Sequence, residues 1–130
     1  MLHMPTFPND WPEGCPPKHA QPPAHDFHRI VKADPPDAES FLSYREMGKP
    51  DRGQPCSAAG LSVFTEKADA QHYQAKFPFI GELIATGSVN ATHGLWAPEA
   101  RKVPGGSSHS SWWVCENIIS DKRAALFVIE

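Results

Sequence analysis

Apolar and polar positions alternate clearly from residue 26 onward. In "DFHRIVKA", Phe27, Arg29 and Val31 fall on one face of an extended chain, and His28, Ile30 and Lys32 on the other. This predicts a first strand. "DPPDAESFLSYREMG" follows, with Asp34 as a cap, Pro35 in the first turn and Gly48 as a stop, so a helix is predicted over 34–48. Its inward stripe would hold Phe41 and Leu42, with Arg45 reaching past the edge. "KPDRGQPCSAAG" predicts a loop. "LSVF" predicts the second strand, and Thr65 a cap for a second helix ending near Lys76, before Pro78. "FIGELIATG" predicts strand three, with Gly81 as a bulge. "SVNATHG" predicts a short strand four, and "LWAPEARKVPGGSSH" a long loop of the kind that often carries function. "SSWWVCENII" and "AALFVIE" predict strands five and six, joined by the turn "SDKR". Six strands and two helices without a repeat give the α+β class.

The pattern is missing before residue 26. Residues 1–25 hold seven of the fourteen prolines. Proline fixes φ and has no amide hydrogen, so this stretch cannot be a central strand or a helix interior. It reads as an extended arm, partly polyproline-like, that adds little to the core. Phe7 and Trp11 are its apolar points and could pin it to the domain or to a partner. The domain organisation is therefore an arm, 1–25, and one α+β domain, 26–130.

A chain of 130 residues is long enough to bury a core. Its net charge of −3 argues against nucleic-acid binding by bulk charge, although a local basic groove leaves that partner open. Cys15, Cys56 and Cys115 are odd in number and widely spaced, a poor disulfide framework and a poor zinc pattern. The expectation is a reduced, cytoplasmic protein. No signal-peptide pattern and no membrane-spanning run is present.

Arg29 is the first candidate for chemistry. An arginine within an apolar strand needs partners for five donors, unless that face is in solvent. It is also suited to clamp a phosphate or carboxylate. Ser62 and Thr65 flank the passage from strand two to a helix. A cap accounts for Thr65 but not for Ser62, and two hydroxyls at a helix start can hold a polar ligand. Tyr73, in the following helix, either packs in the core or stacks on a flat ring.

In their order, "FHRIV" and "GLSVFTEKADAQHY" resemble motifs of the small bacterial ADP-ribosyltransferases. In that family a first strand carries an arginine that binds NAD. A later Gly-apolar-Ser-x-Ser/Thr strand then leads into an Ala-rich helix with an aromatic near its end. The resemblance covers about 50 residues. It implies a bent, split, mostly antiparallel β-sheet with helices packed on it. It also implies a toxin or effector that cleaves the nicotinamide–ribose bond of NAD, its substrate. Arg29 would hold the NAD phosphates or ribose, Ser62 and Thr65 would brace the nicotinamide side, and Tyr73 would line the pocket.

Most members of that family also place a glutamate on a late strand. Here the corresponding region reads "GGSSHSSWWVCEN". His109 could replace the acid, as in the related RNA 2′-phosphotransferases. Alternatively Glu116 or Glu82 serves, or the transferase chemistry is lost.

Adjacent tryptophans on a strand point to opposite faces, so one of Trp112 and Trp113 could be an exposed anchor. That gives the alternative function: a non-catalytic interaction module, such as an antitoxin, an inhibitor or a defence-complex subunit, which uses the tryptophan strand and the arm. A metal site on His93 and His109 with Cys115 or Glu116 lacks a compact ligand spacing.

Overall fold

The computed structural model describes residues 6–99 and 108–129. Six strands form one antiparallel sheet: β1 (Asp26–Val31), β2 (Leu61–Phe64), β3 (Leu83–Ser88), β4 (Gly94–Pro98), β5 (His109–Val114) and β6 (Phe127–Ile129). Their order is β4-β5-β2-β1-β3-β6. Three helices accompany them: α1 (Pro55–Ala59), α2 (Lys67–Lys76) and α3 (Ser120–Ala124). None of the described helices is long and apolar enough to cross a membrane.

The expected faces of β1 are present. Phe27 and Val31 are buried with Leu61, Val63, Trp112, Val114 and Phe127 in the main core, which Phe41 and Ala124 cover. Ile30 lies on the reverse face with Phe64 and Ile84, packed against Ala70 and Tyr73 of α2. β1 pairs with β3 along its whole length, but with β2 only through His28 and Phe64. The two strands therefore part in front of Arg29 and Ser62.

Several elements depart from the expected pattern. The helix over 34–48 does not form. A 3-10 turn occupies Ala38–Phe41, and its cap is Asp37, whose carboxylate accepts from the Ser40 amide at 3.0 Å. Leu42 is extended. Ser43 and Glu46 then exchange side-chain and backbone hydrogen bonds in a capping box that starts a separate turn. Arg45 points outward to the backbone and carboxylate of Asp10. The expected loop 49–60 contains α1, started by Pro55 in the first turn.

Thr65 does not cap α2. Its N-cap is Glu66, with no side-chain cap bond, and the Thr65 amide donates to Ser108 O at 3.3 Å. The fourth strand is Gly94–Pro98, which begins at the last residue of the expected strand and runs into the expected loop, whereas Asn90–His93 forms a turn. Residues 100–107 of that loop lie outside the described residues, and its last residue, His109, opens β5. "SDKR" begins α3 and is not a simple turn.

The arm, described from Thr6, packs on the sheet. Phe7, Trp11, Cys15 and Ala20 lie against Trp113, Ala59 and Ala97. Gln21 bridges to Trp96 through two backbone bonds of 2.8 Å. Cys15 and Cys56 form a disulfide, which corrects the expectation that all cysteines are reduced. A separation of 41 residues gives no local signal for that pair. Cys115 is the free thiol. It is buried and donates to Thr92 O, and burial pushes its pKa up.

Candidate functional site

On one face of the sheet, two covered regions leave a polar strip between them. On one side α2 covers Phe64 and Ile84; on the other the arm and α1 cover Trp113 and Ala97. The strip is a groove of about 660 Å³ over β2 and β5. Side chains alternate along a strand, and Ser62 pairs with Ser111 while Phe64 pairs with His109. Ser62, Ser111 and His109 therefore share this face.

Four of the residues singled out from the sequence line the groove together: Arg29, Ser62, Tyr73 and His109. Arg29 belongs to the main-core face and reaches the groove at the parting of β1 and β2. Its Nε donates to Ser40 O at 2.9 Å and its Nη1 to Ser62 O at 2.7 Å. The guanidinium lies 5.6 Å from the centre of the Phe41 ring. Burial pushes its pKa down to about 10, with Tyr44 raising it and Arg123 lowering it, so it stays charged at neutral pH. These two bonds use two of its five N–H groups.

Ser62 is exposed to the groove, and its hydroxyl lies 3.1 Å from His109 Nε2. His109 is buried. Tyr73 stacks on its ring at 6.2 Å and 9°, and Phe64 meets it edge-on at 5.2 Å. Tyr73 is thus both a core aromatic and a groove wall.

Two of the candidates stand elsewhere. Thr65 is not among the lining residues. Glu116 follows the far end of β5 and accepts from Thr6 Oγ1 at 2.8 Å, lining a separate cavity beside Trp11 and Arg45. Two carboxylates among the described residues line the groove, Asp51 and Glu99, and Glu99 is the one beside His109 and Ser111. Its amide donates to His109 O at 2.8 Å, and its Oε2 accepts from Ser111 Oγ at 3.4 Å. Glu99 carries no local signal, because the loop-like composition of 95–109 hides the strand that precedes it. With Gly94–Pro98 extended, Glu99 comes two residues after the inward Ala97 and so falls on the groove face. Lys49 and Arg52, on the segment before α1, add cations to the opposite wall.

Neither tryptophan is an exposed anchor. Trp112 lies in the main core, and Trp113 is covered by the arm, with Nε1 donating to Cys56 O at 2.8 Å. Among the described residues, no group of three His, Cys, Asp or Glu side chains is placed to hold a metal ion. His93 sits in the turn before β4, where its Nδ1 accepts from the Asn90 amide and burial lowers its pKa.

No family model, curated protein or solved structure matches the chain.

Proposed function

We propose that the chain is an ADP-ribosyltransferase-like toxin or effector, with an ADP-ribosyltransferase-like split sheet, that binds NAD in the groove and breaks its nicotinamide–ribose bond. The observation that carries this reading is the adjacency of β5, β2 and β1. These strands are far apart in sequence, yet together they bring His109, Ser62 and Arg29 to one groove beside Tyr73. Such a groove suits a ligand with anionic and flat parts. The N–H groups of Arg29 that its bonds to Ser40 and Ser62 leave over, with Lys49 and Arg52, attract the diphosphate. Tyr73 and His109 flank the nicotinamide end.

The reaction displaces nicotinamide from C1′ of the ribose. Positive charge builds on that ribose as the bond breaks, and a fixed carboxylate favours it. Glu99 is the acid in this reading and Glu116 is not, because of these two glutamates Glu99 borders the groove, beside Ser111 and His109, and Glu116 lines the other cavity. A bacterial toxin of this kind would be held in check by a protein partner such as an antitoxin. In the cytoplasm Cys15 and Cys56 would be thiols, whereas an oxidising compartment keeps their bond.

The test is direct. NAD at a hundredfold excess over its dissociation constant should stabilise the fold by about 2.7 kcal/mol. Free nicotinamide should accumulate, measured by chromatography. A melting curve unmoved by millimolar NAD, with no nicotinamide formed, removes this reading.

A further inference from the structure

Ser62 and His109 are placed as a nucleophile and a base. The Ser62 hydroxyl is open to the groove and 3.1 Å from Nε2. Tyr73 and Phe64 hold the imidazole ring in orientation. A hydroxyl within hydrogen-bond reach of an oriented imidazole is the arrangement that activates a weak nucleophile. Neighbouring hydroxyls are differently engaged: Ser111 donates to Glu99, and Ser43 accepts from the Glu46 amide. Ser62 also sits on a strand, where no helix cap accounts for it.

We propose that Ser62 is itself an acceptor, so that the chain ADP-ribosylates its own groove; the proposal rests on the NAD reading above. In the step, Ser62 Oγ forms a bond to C1′ of the nicotinamide ribose. The bond from C1′ to the ring nitrogen breaks, and its electron pair leaves with nicotinamide, which departs neutral. The serine proton passes to His109 Nε2. No further reactant is needed. A hydroxyl fixed at the groove floor competes well with water, because its attack carries no cost of bringing two free molecules together. The adduct then occupies the groove, so nicotinamide release slows after the first equivalent.

The experiment incubates the intact chain with NAD and follows free nicotinamide, whole-protein mass and the modified peptide. The expected result is one ADP-ribosyl group on the peptide containing Ser62. Ser62→Ala should carry none. Ser62→Thr keeps a hydroxyl on a strand-compatible residue and should be modified at the same position, which covers the case in which the alanine variant fails to fold. His109→Gln should slow adduct formation by about a hundredfold or more, the usual contribution of a general base. Nicotinamide release without an adduct, or an adduct that survives Ser62→Ala, overturns the proposal and leaves the NAD reading standing. No release from any variant, with no NAD-dependent shift in melting, overturns both.

Discussion

Arg29 Nη1 donates to the carbonyl oxygen of Ser62 at 2.7 Å, across the point where β1 and β2 part. The same side chain holds Ser40 O, so it links three segments around the groove. Arg29→Ala should therefore lower stability by about 1.5–3 kcal/mol, the scale of hydrogen bonds to a charged group. It should also abolish most of the NAD-dependent stabilisation. Arg29→Lys should restore little of either, because an ammonium has no planar fork. Urea unfolding of each variant with and without NAD separates the two effects. An Arg29→Ala protein that keeps the full NAD shift would exclude Arg29 from ligand binding.

Arg123 and Glu46 join α3 to the turn after Phe41 through a forked ion pair of 2.7 and 2.9 Å. Burial pushes the Glu46 carboxyl up, but hydrogen bonds from Arg123 and Ser43 outweigh it, and its pKa is lowered overall. A carboxylate with a depressed folded pKa stabilises the fold above its unfolded pKa, and that stability is lost as pH falls through the folded pKa. The urea midpoint should thus drop on acidification below about pH 4.3, the ordinary glutamate value. Glu46→Gln should weaken the fold at pH 7 by about 1.5–3 kcal/mol and flatten the acid slope. An unchanged slope would mean that other carboxylates dominate acid unfolding.

The legible parts of this chain were those set by local alternation. Phe27, Val31, Leu61 and Val63 announce their faces, and Arg29 falls between two core residues in any register that buries them. Ser62 and Tyr73 were legible as candidates because a strand meets a helix near them. The helix expected over 34–48 does not form because the paired prolines and the capping box at Ser43 and Glu46 outweigh its apolar periodicity. Pro55 stands in a stretch whose prolines and glycines mark a loop, yet a proline in the first turn equally starts a helix. Long-range facts left no local mark. Nothing near Cys15 points to Cys56, and nothing near Trp113 says that an arm from the other end of the chain covers it.

That arm carries the next prediction. Closing a loop of this length restrains the unfolded chain, and removing the Cys15–Cys56 bond should cost about 2–4 kcal/mol. Cys15→Ser and reduced wild type should unfold at the same urea concentration, and reductant should not move the variant further. Deleting residues 1–24 should cost more than either, because it also uncovers Trp113, now 5% exposed. Tryptophan emission of the folded truncated chain should shift to longer wavelength. A truncated chain with the wild-type midpoint and emission would show that the arm's packing contributes no stability.

The two glutamates divide binding from turnover. Glu99 borders the groove through Ser111 and His109, while Glu116 holds Thr6 on the arm. A group that acts on charge developing in the transition state contributes little to ground-state binding. Glu99→Gln should thus leave the NAD-dependent melting shift nearly intact and reduce nicotinamide release by about a hundredfold or more, the scale of one lost electrostatic contact. Glu116→Gln should change neither, since it loses only an exposed bond to a threonine hydroxyl. Measuring both quantities on both variants keeps the roles apart. If Glu116→Gln were the slow variant, the acid would lie at the other end of β5, and the groove over Ser62 would not be the site of bond breaking. If Glu99→Gln lost the melting shift as well, Glu99 would be a ground-state contact to the ribose and not a group that acts mainly on the developing charge.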